Sequence, residues 1–272
     1  MAEIKFKSFS SGSCGNCYYL GVTEQGACTA GVLIDAGVSL RRVKKELAAE
    51  GMTPDDFQSI LITHDHFDHI RALGSYCKYL RKPVYATNVL HKALSSNIFT
   101  KDYIAANRKV LQDGWTEVVP GQIRARYFIV PHDATQTVGY NIDFINYNFK
   151  FVLITDSGRI TPEALEYASS ANAVVIESNY DSYMLEHGPY PQILKDRIRD
   201  GQGHTSNDQC AQAISSFVHP GLRNVFLCHL SENNNTPEAA HKCARKALDD
   251  AGRQDIRLVT LPRQLPSRMF TL

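Results

Sequence analysis

The sequence lacks an excess of charge of either sign: 29 lysines and arginines stand against 28 aspartates and glutamates, a formal net charge of +1. That balance excludes a strongly basic duplex-binding module, whose charge would be concentrated and positive. Long hydrophobic runs are missing too, so no segment approaches the length of a membrane span. The first residues lack the basic-then-apolar pattern of a signal peptide. Cysteine is sparse and odd in number, seven residues scattered at 14, 17, 28, 77, 210, 228 and 243. Several fall on apolar faces, as reduced core cysteines do, which leads us to expect a reducing, cytoplasmic location. Cys14-Gly15-Asn16-Cys17 is a C-x-x-C without a second pair, weak evidence for redox or metal chemistry. Repeats, low-complexity tracts and linkers are absent. We therefore expect a single domain over residues 1–272.

What is present is a mixed pattern of strands and helices. Apolar runs at 3–10, 17–23 and 30–35 read as strands. Ser39 caps a helix bearing Leu40, Val43 and Leu47 and ended by Gly51. Residues 84–110 read as partly helical. Four strands follow between 115 and 155, with Tyr147 and Asn148 in a hairpin turn. Thr161-Pro162-Glu163 opens a helix with proline in its first turn, and 173–177 is another strand. Ser206-x-x-Gln209 is a capping box ahead of a helix bearing Cys210, Ala213, Ile214 and Phe217. Thr236-Pro237-Glu238 opens the last long helix, and a final strand lies near 256–260.

One segment concentrates chemistry. Thr63-His64-Asp65-His66-Phe67-Asp68-His69 follows the apolar run Ser59–Ile62 and precedes Ile70, Leu73, Cys77 and Leu80, a helical spacing stopped by Pro83. A strand-to-helix turn converges side chains that a straight strand would send to opposite faces. Imidazole nitrogen and carboxylate oxygen are ligands for zinc-like ions. Four further ligand-type residues share one placement, the end of an apolar run: Asp35, His132, Asp156 and His229. In α/β architectures, sites gather at strand ends.

The H-x-H-x-D-H block resembles the signature of the metallo-β-lactamase superfamily. Taken with S-G-S-x-G-N at Ser11–Asn16, T-D-S-G at Thr155–Gly158, E-S-N at Glu177–Asn179, G-H-x-S-N at Gly203–Asn207 and H-L-S-E-N at His229–Asn233, the chain resembles the WalJ/YycJ-type branch over nearly its whole length. The resemblance implies an α/β fold, a four-layered αββα sandwich. It implies that His64, His66 and His132 hold one metal, that Asp68, His69 and His229 hold another, that Asp156 bridges them, and that Asp35 orients a ligand. It also implies a binuclear metal-dependent hydrolase, a phosphodiesterase or 5′-to-3′ DNA exonuclease using a metal-bridging hydroxide, of a branch linked to mismatch repair. The cofactors would be two divalent ions, zinc or manganese, with iron also compatible. The substrate partner would be nucleic acid, DNA before RNA. The branch commonly has E-A-N-H-D where this chain has Glu177-Ser178-Asn179-Tyr180-Asp181, serine at the place of Cys14, and leucine at the place of Thr205.

Asp68 and His204 are the catalytic candidates. Asp68 is placed to orient the attacking water. His204, just before a capped helix N-terminus, is placed to bind a phosphate oxygen or protonate the leaving oxygen. Candidate phosphate or substrate contacts are Ser13, Asn16, Asn179, Lys195, Arg197 and Ser206. Among the basic clusters, Arg41-Arg42-x-Lys44-Lys45, Lys78-x-x-Arg81-Lys82 and Lys195-x-Arg197-x-Arg199, the last is the preferred backbone contact because it lies nearest His204. Tyr180, Tyr183 and Tyr190 are candidates for base stacking. Two alternatives stay open: a small-molecule phosphodiesterase or other ester or lactone hydrolase on the same fold, and a non-catalytic metal-binding scaffold.

Overall fold

Apolar strands, many buried on both faces, build two sheets. The computed structural model describes residues 2–272. Its first half contains strands β1 (Ala2–Gly12), β2 (Gly15–Glu24) and β3 (Ala27–Ile34), helix α1 (Leu40–Ala48), strand β4 (Ser59–Leu61) and helices α2 (Phe67–Ile70) and α3 (Leu73–Leu80). Strand β5 (Val84–Ala86), helix α4 (Asn88–Ser96) and strand β6 (Arg108–Val110) complete it. The second half contains β7 (Thr116–Val119), β8 (Ile123–Val130), β9 (Thr137–Phe144) and β10 (Phe149–Ile154), then α5 (Pro162–Ala168) and β11 (Ala173–Glu177). Next come α6 (Ser182–His187), α7 (Gln192–Arg199), α8 (Asn207–Phe217), β12 (Asn224–Cys228), α9 (Pro237–Asp250), β13 (Arg257–Thr260) and β14 (Phe270–Thr271).

The strands form two seven-stranded sheets, in the orders β14-β1-β2-β3-β4-β5-β6 and β13-β12-β11-β10-β9-β8-β7, the first built by the first half with β14 added from the C-terminus. In each, antiparallel hairpins run into parallel strands joined through helices. The expected αββα sandwich is thus present: two mixed sheets face each other and helices cover their outer sides. Period-2 geometry explains why the strands of the second sheet read as continuous apolar runs. Phe151, Leu153, Val175 and Phe226 enter the core shared with the first sheet. Their neighbours Val152, Ile154, Val174 and Val225 enter a second core beneath α5, α8 and α9. Phe6 ties the sheets together, its ring centroid 5.4 Å from Phe151 and 4.7 Å from Phe226. Phe6→Ala is expected to cost about 3–5 kcal/mol of stability, the range for buried Phe→Ala, read as a lowered denaturant midpoint with an unchanged slope.

Several local expectations change. The helix expected after the histidine block is broken between Ile70 and Leu73, because Ala72 N donates to Ala36 O instead of continuing the helix, and Ala36 N donates to His69 O. Residues 84–110 hold two three-residue parallel strands besides α4. The C-terminal strand β14, absent from the sequence reading, pairs with β1. The capping box at Ser206 and the turn at Tyr147-Asn148 are as expected, with Asn148 at φ 47°. Cys14 is exposed while Cys17 is fully buried and its thiolate disfavoured by that burial, so the C-x-x-C is not a poised redox pair. No helix among the described residues is long and apolar enough to cross a membrane.

Candidate metal centre

The site lies where strands end. Asp35 follows β3, His64 to His69 follow β4, His132 follows β8, Asp156 follows β10, Glu177 ends β11 and His229 follows β12. Asp35, Asp156 and His229 each adopt positive φ, 62°, 49° and 54°. This left-handed conformation is costly for residues other than glycine, and it persists where surroundings over-determine it. It turns each side chain from its strand toward one centre. The main chain is equally constrained at Gly37, where an added Cβ would lie 1.6 Å from Asp68 O.

Hydrogen bonds fix which nitrogen of each imidazole is available. Thr63 N and Oγ1 donate to the two oxygens of buried Asp35 at 2.9 and 2.8 Å. With the Thr63 hydroxyl so committed, His64 Nδ1–H donates to Thr63 Oγ1 at 3.0 Å. His69 Nδ1–H donates to Asp35 Oδ2 at 2.7 Å. His132 Nδ1–H donates to Gly203 O at 2.8 Å, and His229 Nδ1–H to Glu177 Oε1 at 3.1 Å. A carbonyl, a carboxylate and the committed Thr63 hydroxyl all accept here, so each of these four rings, in its neutral form, has its lone pair on Nε2. His66 is reversed: Nε2 lies 3.2 Å from Asp133 O, leaving the lone pair on Nδ1. Nε2 of His64, His132 and His229 is buried without a hydrogen-bond partner. Buried orphan acceptors are costly unless something occupies the space before them.

Ligand-type atoms converge in four groups, each within 4.8 Å: His64, His66 and His132; Asp68, His69 and His229; His64, His69 and Asp156; and Asp156, Glu177, His204 and His229. Asp156 stands between, with Oδ2 at 3.3 Å from His69 Nε2 and Oδ1 at 3.4 Å from His229 Nε2 and 3.9 Å from His132 Nε2. Burial pulls His64 and His132 down, keeping them neutral. Burial also opposes charge on His69 and His229, but surrounding carboxylates outweigh it: Asp156, Asp35 and Asp68 hold His69 well above its ordinary value, and Asp156, Asp68 and Glu177 push His229 up to about 10. A buried site in which Asp35, Asp68, Asp156 and Glu177 have no lysine or arginine partner among the described residues demands positive charge. The orphaned nitrogens and this surplus of carboxylate both fit divalent cations.

A cavity of about 290 Å³ opens over these residues, lined by Ser13, Asp68, Asn179 and His204 on one hand and by Leu194 and Arg197 on the other. Ser13, Asn179 and His204, three of the candidates, thus line one cavity. Asn16 is instead buried beneath the site, donating to Asp68 Oδ2 at 2.9 Å and lying 2.8 Å from His69 Nε2. It is not among the residues that line the cavity. Lys195 turns away, its ammonium bound to Glu186 O at 2.5 Å. Arg197 reaches the rim but is paired with Asp133, and Arg199 is paired with Glu186 and Asp196. The preferred basic cluster is therefore largely neutralised. Ser206 spends its hydroxyl on the cap of α8, and Tyr180 is buried, so neither is free to meet substrate.

Glu177 entered the sequence reading only as part of the E-S-N motif, without a role of its own. Fully buried, it accepts His204 Nδ1–H at 2.7 Å, His229 Nδ1–H at 3.1 Å, Ser157 N at 2.9 Å and Thr205 N at 3.1 Å. Burial opposes its charge, yet His204 and His229 hold its carboxyl down at about 2. It had the same signal as Asp35, an acid ending an apolar strand.

The sequence model of the beta-lactamase superfamily domain matches residues 31–229. The chain is 32% identical over 249 residues to a Bacillus anthracis protein named exodeoxyribonuclease YycJ, covering 92% of this chain and 90% of that one. It is 32% identical over 243 residues to exodeoxyribonuclease WalJ of Streptococcus pneumoniae serotype 2, covering 89% and 87%. Unliganded yeast PDE1 shares the fold, with a TM-score of 0.70 at 12% identity over 99% of this chain and 100% of that chain.

Proposed function

The chain belongs to the beta-lactamase superfamily, and from that premise we propose that it is a two-metal exodeoxyribonuclease, shortening DNA from a 5′ end. It is a metal-dependent hydrolase. The observation that carries the nuclease reading is the identity with two exodeoxyribonuclease-named relatives over about nine-tenths of this chain, joined to the convergence of orphaned imidazole nitrogens on Asp156. In this proposal His64, His66 and His132 hold one divalent ion, Asp68, His69 and His229 the other, and Asp156 serves both. The ions, when bound, make water nucleophilic near neutral pH and offset phosphate charge. Zinc or manganese suits the donor set, and iron is compatible.

The protein's own groups do the rest. Asp35 and Glu177 hold His69 and His229 in the ligating tautomer. Asn16 anchors Asp68, which orients the attacking water. His204, its Nδ1 held by Glu177, faces the cavity with Nε2, placed to pass a proton to the leaving oxygen. Ser13 and Asn179 line the same cavity and meet phosphate or sugar. We further propose that the 272 residues act as one domain, β14 closing back on β1. Buried thiols such as Cys17, Cys77, Cys210 and Cys228 suit a reducing cytoplasm, with DNA repair as the setting.

One observation favours a second reading, a small phosphodiester substrate: about 290 Å³ is at the lower end of the roughly 300–1,000 Å³ of small-molecule sites. End-labelled single- and double-stranded DNA and RNA, incubated with Mn²⁺ or Zn²⁺ and with chelator, separate the two. Stepwise metal-dependent shortening of DNA from the 5′ end is expected. No cleavage of any polymer, with bis(p-nitrophenyl) phosphate still hydrolysed, would establish the second reading.

A further inference from the structure

The cavity takes about one nucleotide, so a polymer must continue over the outer surface, and the cationic cluster expected to guide it on α7 is neutralised. A different face carries what single strands need. Among the described residues, four of the five exposed large aromatics, Phe67, Tyr79, Phe99 and Tyr103, lie on α2, α3 and the segment after α4. Phe67 is 53% exposed and Phe99 44% exposed although they touch, their ring centroids 4.9 Å apart. In the chain Phe67 stands between the ligand candidates His66 and Asp68, both of which line the catalytic cavity.

Cations interleave with these rings. Arg71 lies over Phe67 at 5.9 Å, and Lys78 stands 5.3 Å from both Tyr79 and Tyr103. Phe67, Phe99, Arg71 and Arg42 line a second cavity of about 420 Å³. Arg42 also lines a third, of about 820 Å³, together with Arg41, Lys45 and Cys14, the neighbour of Ser13 in the catalytic cavity. None of Arg41, Arg42, Lys44 and Lys45 is in an ion pair among the described residues. Exposed aromatics beside unpaired cations form the arrangement that binds single strands, rings stacking on bases and cations tracking phosphates.

We infer that the strand leading from the catalytic cavity is single-stranded DNA laid across Phe67 and Phe99, its backbone held by the unpaired cations of α1. This rests on the nuclease reading and says where that substrate runs. Phe99→Ala and the double variant Arg41→Gln/Lys45→Gln test it, since neither touches the candidate metal centre. With chelator present, binding of a labelled single-stranded 20-mer is measured by fluorescence anisotropy against salt. Phe99→Ala is expected to weaken binding roughly tenfold, the effect of one lost stacked base. The double variant is expected to reduce the salt slope by about 1.4, from two lost phosphate contacts at roughly 0.7 each. Hydrolysis of bis(p-nitrophenyl) phosphate should be unchanged in both. Wild-type digestion of DNA with affinity and salt slope unaltered in both variants would overturn the track and leave the nuclease reading standing. A wild type that neither binds nor shortens DNA would overturn both. A concentration-dependent dimer dissolved by Phe99→Ala would overturn the track in favour of self-association.

Discussion

Asp156→Asn is expected to lower metal-dependent hydrolysis by at least about 10³-fold, because a group serving both ions contributes several kcal/mol and each 1.4 kcal/mol is a factor of ten. Among the described residues, Asp156 is the only carboxylate within 4 Å of Nε2 of three imidazoles, those of His69, His132 and His229. It has no substitute, since Asp68 reaches only His69 and His229. Asparagine is the informative replacement. At φ 49° alanine would add the cost of a left-handed backbone, roughly 1–2 kcal/mol, to whatever the lost carboxylate costs. Asparagine tolerates that conformation and matches aspartate in shape. The variant should melt like the wild type and bind fewer than two equivalents of Zn²⁺ or Mn²⁺ by elemental analysis. Full turnover with two ions bound would remove Asp156 from the centre.

Much of the fold and of the site was legible because its signals are local. The H-x-H-x-D-H block is contiguous, and the distant ligand candidates each terminate an apolar run whose uniformity reflects burial on both faces. Phe151 to Ile154 ahead of Asp156 shows this, its residues dividing alternately between two cores. What was illegible depends on long-range partners. Nothing near Lys195 announces that its ammonium ends on Glu186 O, and nothing near Arg197 announces Asp133, 64 positions away. The break after Ile70 is made by Ala36 from another strand end. Strands β5 and β6 are three residues each, too short for alternation to declare itself. Phe67 shows the limit from the other side. Nothing inside the histidine block announces that α2 directs it outward beside Phe99, which no periodicity connects to it.

Glu177→Gln is expected to do more damage than loss of His204, and in two separable ways. His204→Ala removes one proton-transfer group, so turnover should fall roughly 10²- to 10⁴-fold with metal content unchanged. Glu177 holds both His204 and His229 on the same Oε1, at 2.7 and 3.1 Å, while Oε2 accepts two backbone N–H groups. A glutamine places its carbonyl on one side only. Its amide then faces either two imidazole N–H donors or two main-chain donors, and buried donors facing donors are left unsatisfied. If the amide turns toward the imidazoles, His229 loses the acceptor that keeps Nε2 free, and metal affinity should fall roughly 10- to 100-fold, as for lost partners of ligating histidines. The expected pattern is therefore reduced turnover with intact metal for His204→Ala, and reduced turnover with reduced metal affinity for Glu177→Gln. Raising the Zn²⁺ concentration should restore stoichiometry in Glu177→Gln without restoring its rate, because His204 stays unanchored. A Glu177→Gln variant that recovers wild-type turnover at high metal would show that the His204 contact carries no proton transfer, leaving Glu177 as a support for His229 alone.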